Sequence, residues 1–96
     1  MSNPVNRSFS ITSGGASQLL LEENPSRKGF EILNTSSSDL WFIFKAPGIT
    51  AAAAASPSYK LGSGESWYSP LDINVRGAWY VFGGTTGQTG TCWEYV

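Results

Sequence analysis

No histidine occurs in this chain of 96 residues. The side chain that most often serves as general base, metal ligand or pH switch near neutrality is therefore missing. One cysteine, Cys92, leaves no partner for an internal disulfide and no thiolate cluster for zinc. A lone thiol fits a protein made and kept in a reducing compartment. Charge is scarce too. Six Lys and Arg stand against seven Asp and Glu, and no cluster forms a basic face. Nucleic acid held by counterion release is not an expected partner. No apolar run reaches the roughly 18 residues of a membrane-spanning helix, so no membrane partner is expected either. Residues 1–7 lack an apolar stretch of the secretory type, and no signal segment is expected.

What is present argues for a folded domain. Hydrophobic residues make up 41% of the chain and charged ones 14%, a balance opposite to that of disordered segments. The length allows one core. Scaling rules give a folded surface of about 5,400 Å² and a burial of about 9,500 Å². If about 60% of that burial is apolar, it contributes on the order of 140 kcal/mol at ~25 cal/mol/Å². Ordering the chain costs a similar sum at ~1.5 kcal/mol per residue. An isolated monomer is then marginal, and a lattice or homo-oligomer would add to its stability.

Period-two alternation dominates the sequence. Phe9 and Ile11 share a face in Ser8–Thr12, and Phe30 and Ile32 do so in Gly29–Asn34. Tyr59 and Leu61 point together in Ser58–Leu61, as do Leu71, Ile73 and Val75 in Leu71–Arg76. Such patterns belong to half-buried antiparallel strands. Leu40–Phe44 and Ala78–Phe82 are apolar on both faces. They read as central strands, or as strands whose outer face a neighbour covers. Glu65–Ser69 and Thr91–Val96 complete the set. Ala16–Glu23 has helix-forming residues but spans only about two turns, and its alternation of Leu19 and Leu21 with Gln18 and Glu22 favours a strand. Ala51–Ala55 is too short to hold a helix alone and lies in a long loop. Ser13-Gly14-Gly15 and Asn24-Pro25 mark turns, and Asn34–Asp39 and Gly62-Ser63-Gly64 read as hairpin loops. About eight strands at this spacing predict an all-β fold, a small antiparallel β-sandwich of jelly-roll or immunoglobulin-like type. Residues 1–7 are expected as a flexible N-terminal arm and residues 8–96 as a single sandwich domain.

The chemistry available to such a chain is limited. Gly62-Ser63-Gly64 lacks the Gly-x-Ser-x-Gly spacing of a nucleophile elbow and reads as a loop tip. Cys92 has no adjacent cation to activate it and reads as a buried structural thiol. Glu31, Glu65, Asp72 and Glu94 fall on different strands, so a glycosidase-like carboxylate pair is possible in principle. A chain this short, with no insertion to build a cleft, argues against it. Glu22, Glu23 and Asp39 read as solvated loop charges. No alternating acidic run suggests calcium, and Gly83–Gly90 lacks the Gly-Lys-Ser/Thr of a phosphate loop. No catalytic, cofactor-binding or metal-ligating residue is expected. The aromatics are the sharper signal. Trp41, Trp67, Trp79 and Trp93 exceed what one small core requires. Those outside it would suit protein contacts or stacking on sugar rings.

The stretch Glu23-Asn24-Pro25-Ser26-Arg27-Lys28-Gly29-Phe30-Glu31-Ile32-Leu33-Asn34 is an Asn-Pro-x-Arg turn followed by an alternating strand. With the Ala-rich loop, the Tyr59–Trp67 segment and the Gly-Thr-rich turn that follow in order, it resembles small virion structural proteins of tailed bacteriophages. The resemblance spans roughly Ser17 to Val96. It implies a non-enzymatic virion protein, like the capsid decoration (cement) proteins built on small β-sandwiches, with the major capsid protein or other virion proteins as partners. The alternative within the same resemblance is a tail or head-fibre component that binds a host-surface glycan. The family has no active-site motif, so no functional residue is carried over. On physical grounds, Arg27 or Lys28 beside the Asn24-Pro25 turn is placed to bond loop carbonyls, or a neighbouring subunit's carboxylate.

Overall fold

A computed structural model of the chain describes residues 3–70 and 75–96. These residues form nine strands and no helix: β1 (Pro4–Asn6), β2 (Phe9–Ser10), β3 (Ser17–Leu21), β4 (Gly29–Asn34), β5 (Leu40–Phe44), β6 (Tyr59–Leu61), β7 (Ser66–Tyr68), β8 (Trp79–Gly83) and β9 (Thr89–Tyr95). Two antiparallel sheets result. The first has the order β1-β9-β4-β7, with β2 also pairing β9, and the second has the order β3-β8-β5-β6. From β2 onward every connection except β5–β6 leads from one sheet to the other. With β1 and β2 counted as one interrupted edge strand, this is the eight-stranded jelly-roll path. The sandwich expected from the alternation is therefore the fold. The accessible surface is 5200 Å².

Strand register sets which side chains face inward. β4 lies against β9 with Phe30 opposite Glu94 and Ile32 opposite Cys92, all four on the inner face. In the second sheet Phe42 lies opposite both Val81 and Tyr59. Phe30, Ile32, Phe42, Trp79 and Val81 are wholly buried, as the alternation predicts. The contact between the sheets is aromatic. Phe30 meets the edge of Trp79 at 4.8 Å between ring centroids, and Phe42 meets Trp67 at 5.1 Å. Tilted and edge-on rings like these add to the burial of their area.

The doubly apolar strands β5 and β8 are the two central strands of the second sheet. Part of their outer face is covered as well. Ile43 alternates with the core residues Phe42 and Phe44 and so points outward, yet it is only 2% exposed. The loop between β5 and β6 explains this. Its Ala52 is buried, and the Ala52 backbone N–H donates to Ser17 Oγ on β3, at the far edge of the same sheet, at 2.9 Å. The alanine-rich loop thus crosses the sheet, and small side chains let it lie close.

Several expectations need correction. Residues 34–39 and 62–64 are not hairpin loops, because β4 and β5, and likewise β6 and β7, belong to different sheets. Turn-forming residues mark where a strand stops; they do not say which sheet the next strand joins. Of the arm expected over residues 1–7, residues 1–2 lie outside the described residues and residues 3–7 are not free. Pro4–Asn6 pair with Trp93–Tyr95, and Arg7 N–H donates to Cys92 O at 2.8 Å. An unpaired edge of β9 offers backbone partners that a local reading of the arm cannot reveal. Leu19 and Leu21 do not share a face. A bulge at Leu20 turns both Leu20 and Leu21 inward and leaves Leu19 48% exposed. Of the strand expected at Leu71–Arg76, residues 71–74 lie outside the described residues, and Val75 and Arg76 lie in a turn.

The buried aromatic contact leads to a first prediction. Phe42→Ala should cost ~3–5 kcal/mol through lost transfer energy and a cavity. Urea unfolding followed by far-UV circular dichroism measures it, and the midpoint should collapse toward zero denaturant.

Candidate interaction face

The Asn24-Pro25 turn positions a buried side chain that makes four hydrogen bonds. Ser26 N–H donates to Asn24 Oδ1 at 3.0 Å and Arg27 N–H to Asn24 O at 3.0 Å, which closes a tight turn and aims Arg27 inward. Arg27 is wholly buried. Its Nε donates to Glu94 Oε2 at 2.8 Å, and its Nη1 donates to Val75 O at 2.8 Å and Gly77 O at 2.7 Å. Its Nη2 donates to Glu22 O. Glu94 also accepts from Arg7 Nε at 3.1 Å and from Asn24 Nδ2 at 3.3 Å. Arg27 therefore bonds loop carbonyls, as expected, and the carboxylate it meets is one of its own chain. A cleft of about 330 Å³ lined by Arg7, Leu20, Glu22, Asn24 and Glu94 opens beside this cluster.

The four candidate carboxylates do not assemble into a pair. Asp72 lies outside the described residues. Glu65 precedes β7 and accepts from Gly62 N–H in its own loop. Glu94 and Glu31 point to opposite faces of the first sheet, since Glu94 pairs with inward Phe30 and Glu31 with outward Trp93. Burial by itself raises the pKa of Glu94. The hydrogen bonds from Arg27, Arg7 and Asn24 outweigh that and hold it below the ordinary carboxylate range. Cys92 is wholly buried, and burial, reinforced by Glu94, pushes its thiol up to about 12. It is the buried thiol expected from the sequence.

The tryptophans divide by face. Trp79 is wholly buried, and Trp67 packs against the core from the inner side of β7. Trp41 and Trp93 lie on outer faces, opposite Phe82 and Glu31 respectively. The outer face of the first sheet carries an aromatic group, half-buried except for Tyr68. There the cross-strand row Tyr68, Glu31, Trp93 runs over β7, β4 and β9. Tyr95 stands one step along β9, opposite Gly29. Tyr68 is 59% exposed. Gly29 makes room for it: a Cβ at position 29 would lie 3.3 Å from the Tyr68 hydroxyl. The rings of Tyr68 and Tyr95 meet at 6.0 Å, and Tyr95 OH donates to Glu31 Oε1 at 3.2 Å. Neither tyrosine was singled out by sequence reasoning, which weighed tryptophans. The usable signal was the pair Trp67-Tyr68, whose members must face opposite ways in a strand.

No protein-family model matches the chain. No curated protein matches it either. Among solved structures, a chain from the disulfide-linked pili of Bacillus endospore appendages is similar to it, with a TM-score of 0.63 and 13% identity over 99% of this chain and 84% of that one. At that identity the likeness is one of fold.

Two predictions follow from the buried groups. Because Glu94 has a lower pKa folded than unfolded, its contribution to stability is fully present above the unfolded carboxylate value and is lost as pH falls through the folded one. Glu94→Gln should cost ~3–5 kcal/mol near pH 7 by leaving Arg27 buried without its counter-charge. Urea melts at a series of pH values should show the gap to the parent chain narrowing as the solution is acidified. Cys92, for its part, should resist iodoacetamide in the native protein at pH 8 and take up one equivalent in urea, as mass spectrometry would record.

Proposed function

We propose that this chain is a non-enzymatic structural protein of a tailed-phage virion, a capsid decoration protein that binds the capsid lattice and is itself held there by protein contacts. The observation that carries the reading is the outer face of the first sheet, where Tyr68 on β7 and Trp93 and Tyr95 on β9 flank the intervening strand β4. Tyr68 is exposed and Trp93 and Tyr95 are half-buried; aromatics clustered in this way on a sheet are typical anchors of protein interfaces. The interior supports the same reading. Arg27, Glu94, Asn34 and Gln88 are buried, and their bonds go to loops and strand ends of the scaffold. The virion setting is supported by the resemblance of residues 17–96 to small phage structural proteins. The shared fold with a chain from an appendage pilus adds an example of this sandwich in a protein assembly. Linkage by disulfides does not transfer, because Cys92 is the single cysteine and is wholly buried.

The proposal makes a quantitative demand on binding. Attachment to empty capsids should weaken little between low and high salt, because apolar contacts are not screened as ion pairs are. Tyr68→Ala should weaken it by about 2 kcal/mol, roughly thirtyfold in Kd, if Tyr68 is a central anchor. Co-sedimentation with capsids measures both. A steep salt slope, or retention by DNA alone at physiological salt, would overturn the reading. A mass-spectrometric inventory of virions should find hundreds of copies; a handful would point instead to a tail or head-fibre role.

A further inference from the structure

Glu31 is the one charged residue that strand register places on the outer face of the first sheet among the described residues. Aromatic groups surround it on three sides. Tyr68 on β7 and Trp93 on β9 are its direct cross-strand neighbours, and Tyr95 reaches it diagonally. Directly opposed residues in a sheet have Cβ atoms about 5 Å apart, close enough for all three rings to border the carboxylate. One carboxylate oxygen, Oε1, accepts from Tyr95 OH. The second has no protein partner among the described residues. Burial, and then the neighbouring Glu31 charge, raise the Tyr95 pKa, so its phenol stays protonated and continues to donate.

A carboxylate bordered by aromatic rings is complementary to an organic cation. The ring faces attract positive charge, and the carboxylate neutralises it. We propose that this arrangement seats the guanidinium of an arginine that projects from a partner protein. Three features favour guanidinium over ammonium. It is planar and stacks on rings, it is weakly hydrated and so loses less on leaving water, and its fork can engage the free carboxylate oxygen while covering Tyr68. The proposal rests on the reading of this face as a docking surface and names the chemistry of what docks there.

The test uses the full chain and three small probes: N-acetyl-arginine amide, its neutral isostere N-acetyl-citrulline amide, and tetramethylammonium. Two-dimensional NMR follows the Trp93 indole N–H and the amides of Glu31, Tyr68 and Tyr95 during titration. Arginine amide should give saturable shifts confined to this face. Citrulline amide should bind at least about fivefold more weakly, as the loss of an ion pair and of cation–π contacts implies. Glu31→Gln keeps an acceptor for Tyr95 OH and the side-chain shape, so its spectrum should stay dispersed while arginine binding falls by about the same factor. Absence of saturation with arginine amide, equal binding of citrulline amide, or unchanged binding by Glu31→Gln would each overturn the proposal. So would tighter binding of tetramethylammonium, which would make the site a quaternary-ammonium cage. Capsid binding separates this from the broader reading. If Tyr68→Ala lowers attachment and Glu31→Gln does not, the docking face stands and the guanidinium seat falls. If both lower it, the seat is supported.

Discussion

A guanidinium stripped of water and surrounded by fixed acceptors holds one end of this sandwich together. Arg27 contacts Glu94 on β9, the Glu22 carbonyl after β3, and the Val75 and Gly77 carbonyls before β8. Its own carbonyl accepts from Arg76 Nε at 3.3 Å. Burying such a charge is costly unless a counter-charge and enough acceptors accompany it. Here they do, and the requirement acts in reverse on the chain. The segments at Glu22, Val75–Gly77 and Glu94 must all arrive for the guanidinium to be fully satisfied. Arg7 extends the constraint to the N-terminal strand, since its guanidinium closes on the same carboxylate.

The opposite end depends on neutral groups. Buried Asn34, at the end of β4, donates to Ser38 O and Leu61 O, both at 2.8 Å. Gln88, just before β9, donates to Asp39 O at 3.0 Å and accepts from Thr85 N–H at 2.9 Å. A jelly roll needs such fasteners more than a meander does. Its connections arch between sheets, and an arch lacks the ladder of backbone bonds that closes a hairpin. Aromatic packing fixes the distance between the sheets, and the two polar clusters fix the arches at either end.

This division explains what could be read from residue order. Alternation is a local property, so the strands, the central position of β5 and β8 and the burial of Phe42, Ile32 and Val81 were legible. That a cation beside the Asn24-Pro25 turn bonds loop carbonyls was legible as well, because turn and cation are adjacent in sequence; that the cation is Arg27 rather than Lys28, and that it is buried, was not. Sheet membership was not. Asn34 and Leu61 are 27 residues apart, and Arg7 and Glu94 are 87 apart. Nothing near either residue announces the other. The exposed face was hidden for the same reason. Tyr68, Glu31 and Trp93 lie on three strands and become neighbours only through register. The tryptophan count suggested surface aromatics without indicating which ones, and the most exposed ring proved to be a tyrosine.

The two outer faces differ in a way that bears on assembly. The second sheet is covered over its central strands, where the alanine-rich loop crosses and Ile43 is buried, and is left open at its β3 edge, where Leu19 is exposed. The first sheet leaves Tyr68 largely in solvent, over Gly29 and beside Tyr95. The strands beneath it, β4 and β9, are the ones bound at one end by the arginine cluster and at the other by Asn34 and Gln88. A backbone anchored at both ends loses little conformational freedom when a partner covers the face above it. That saving is what allows a modest area of contact to yield useful affinity. The same buried polar groups that fasten the arches therefore also prepare the aromatic face for binding, and they do so from the far side of a single sheet.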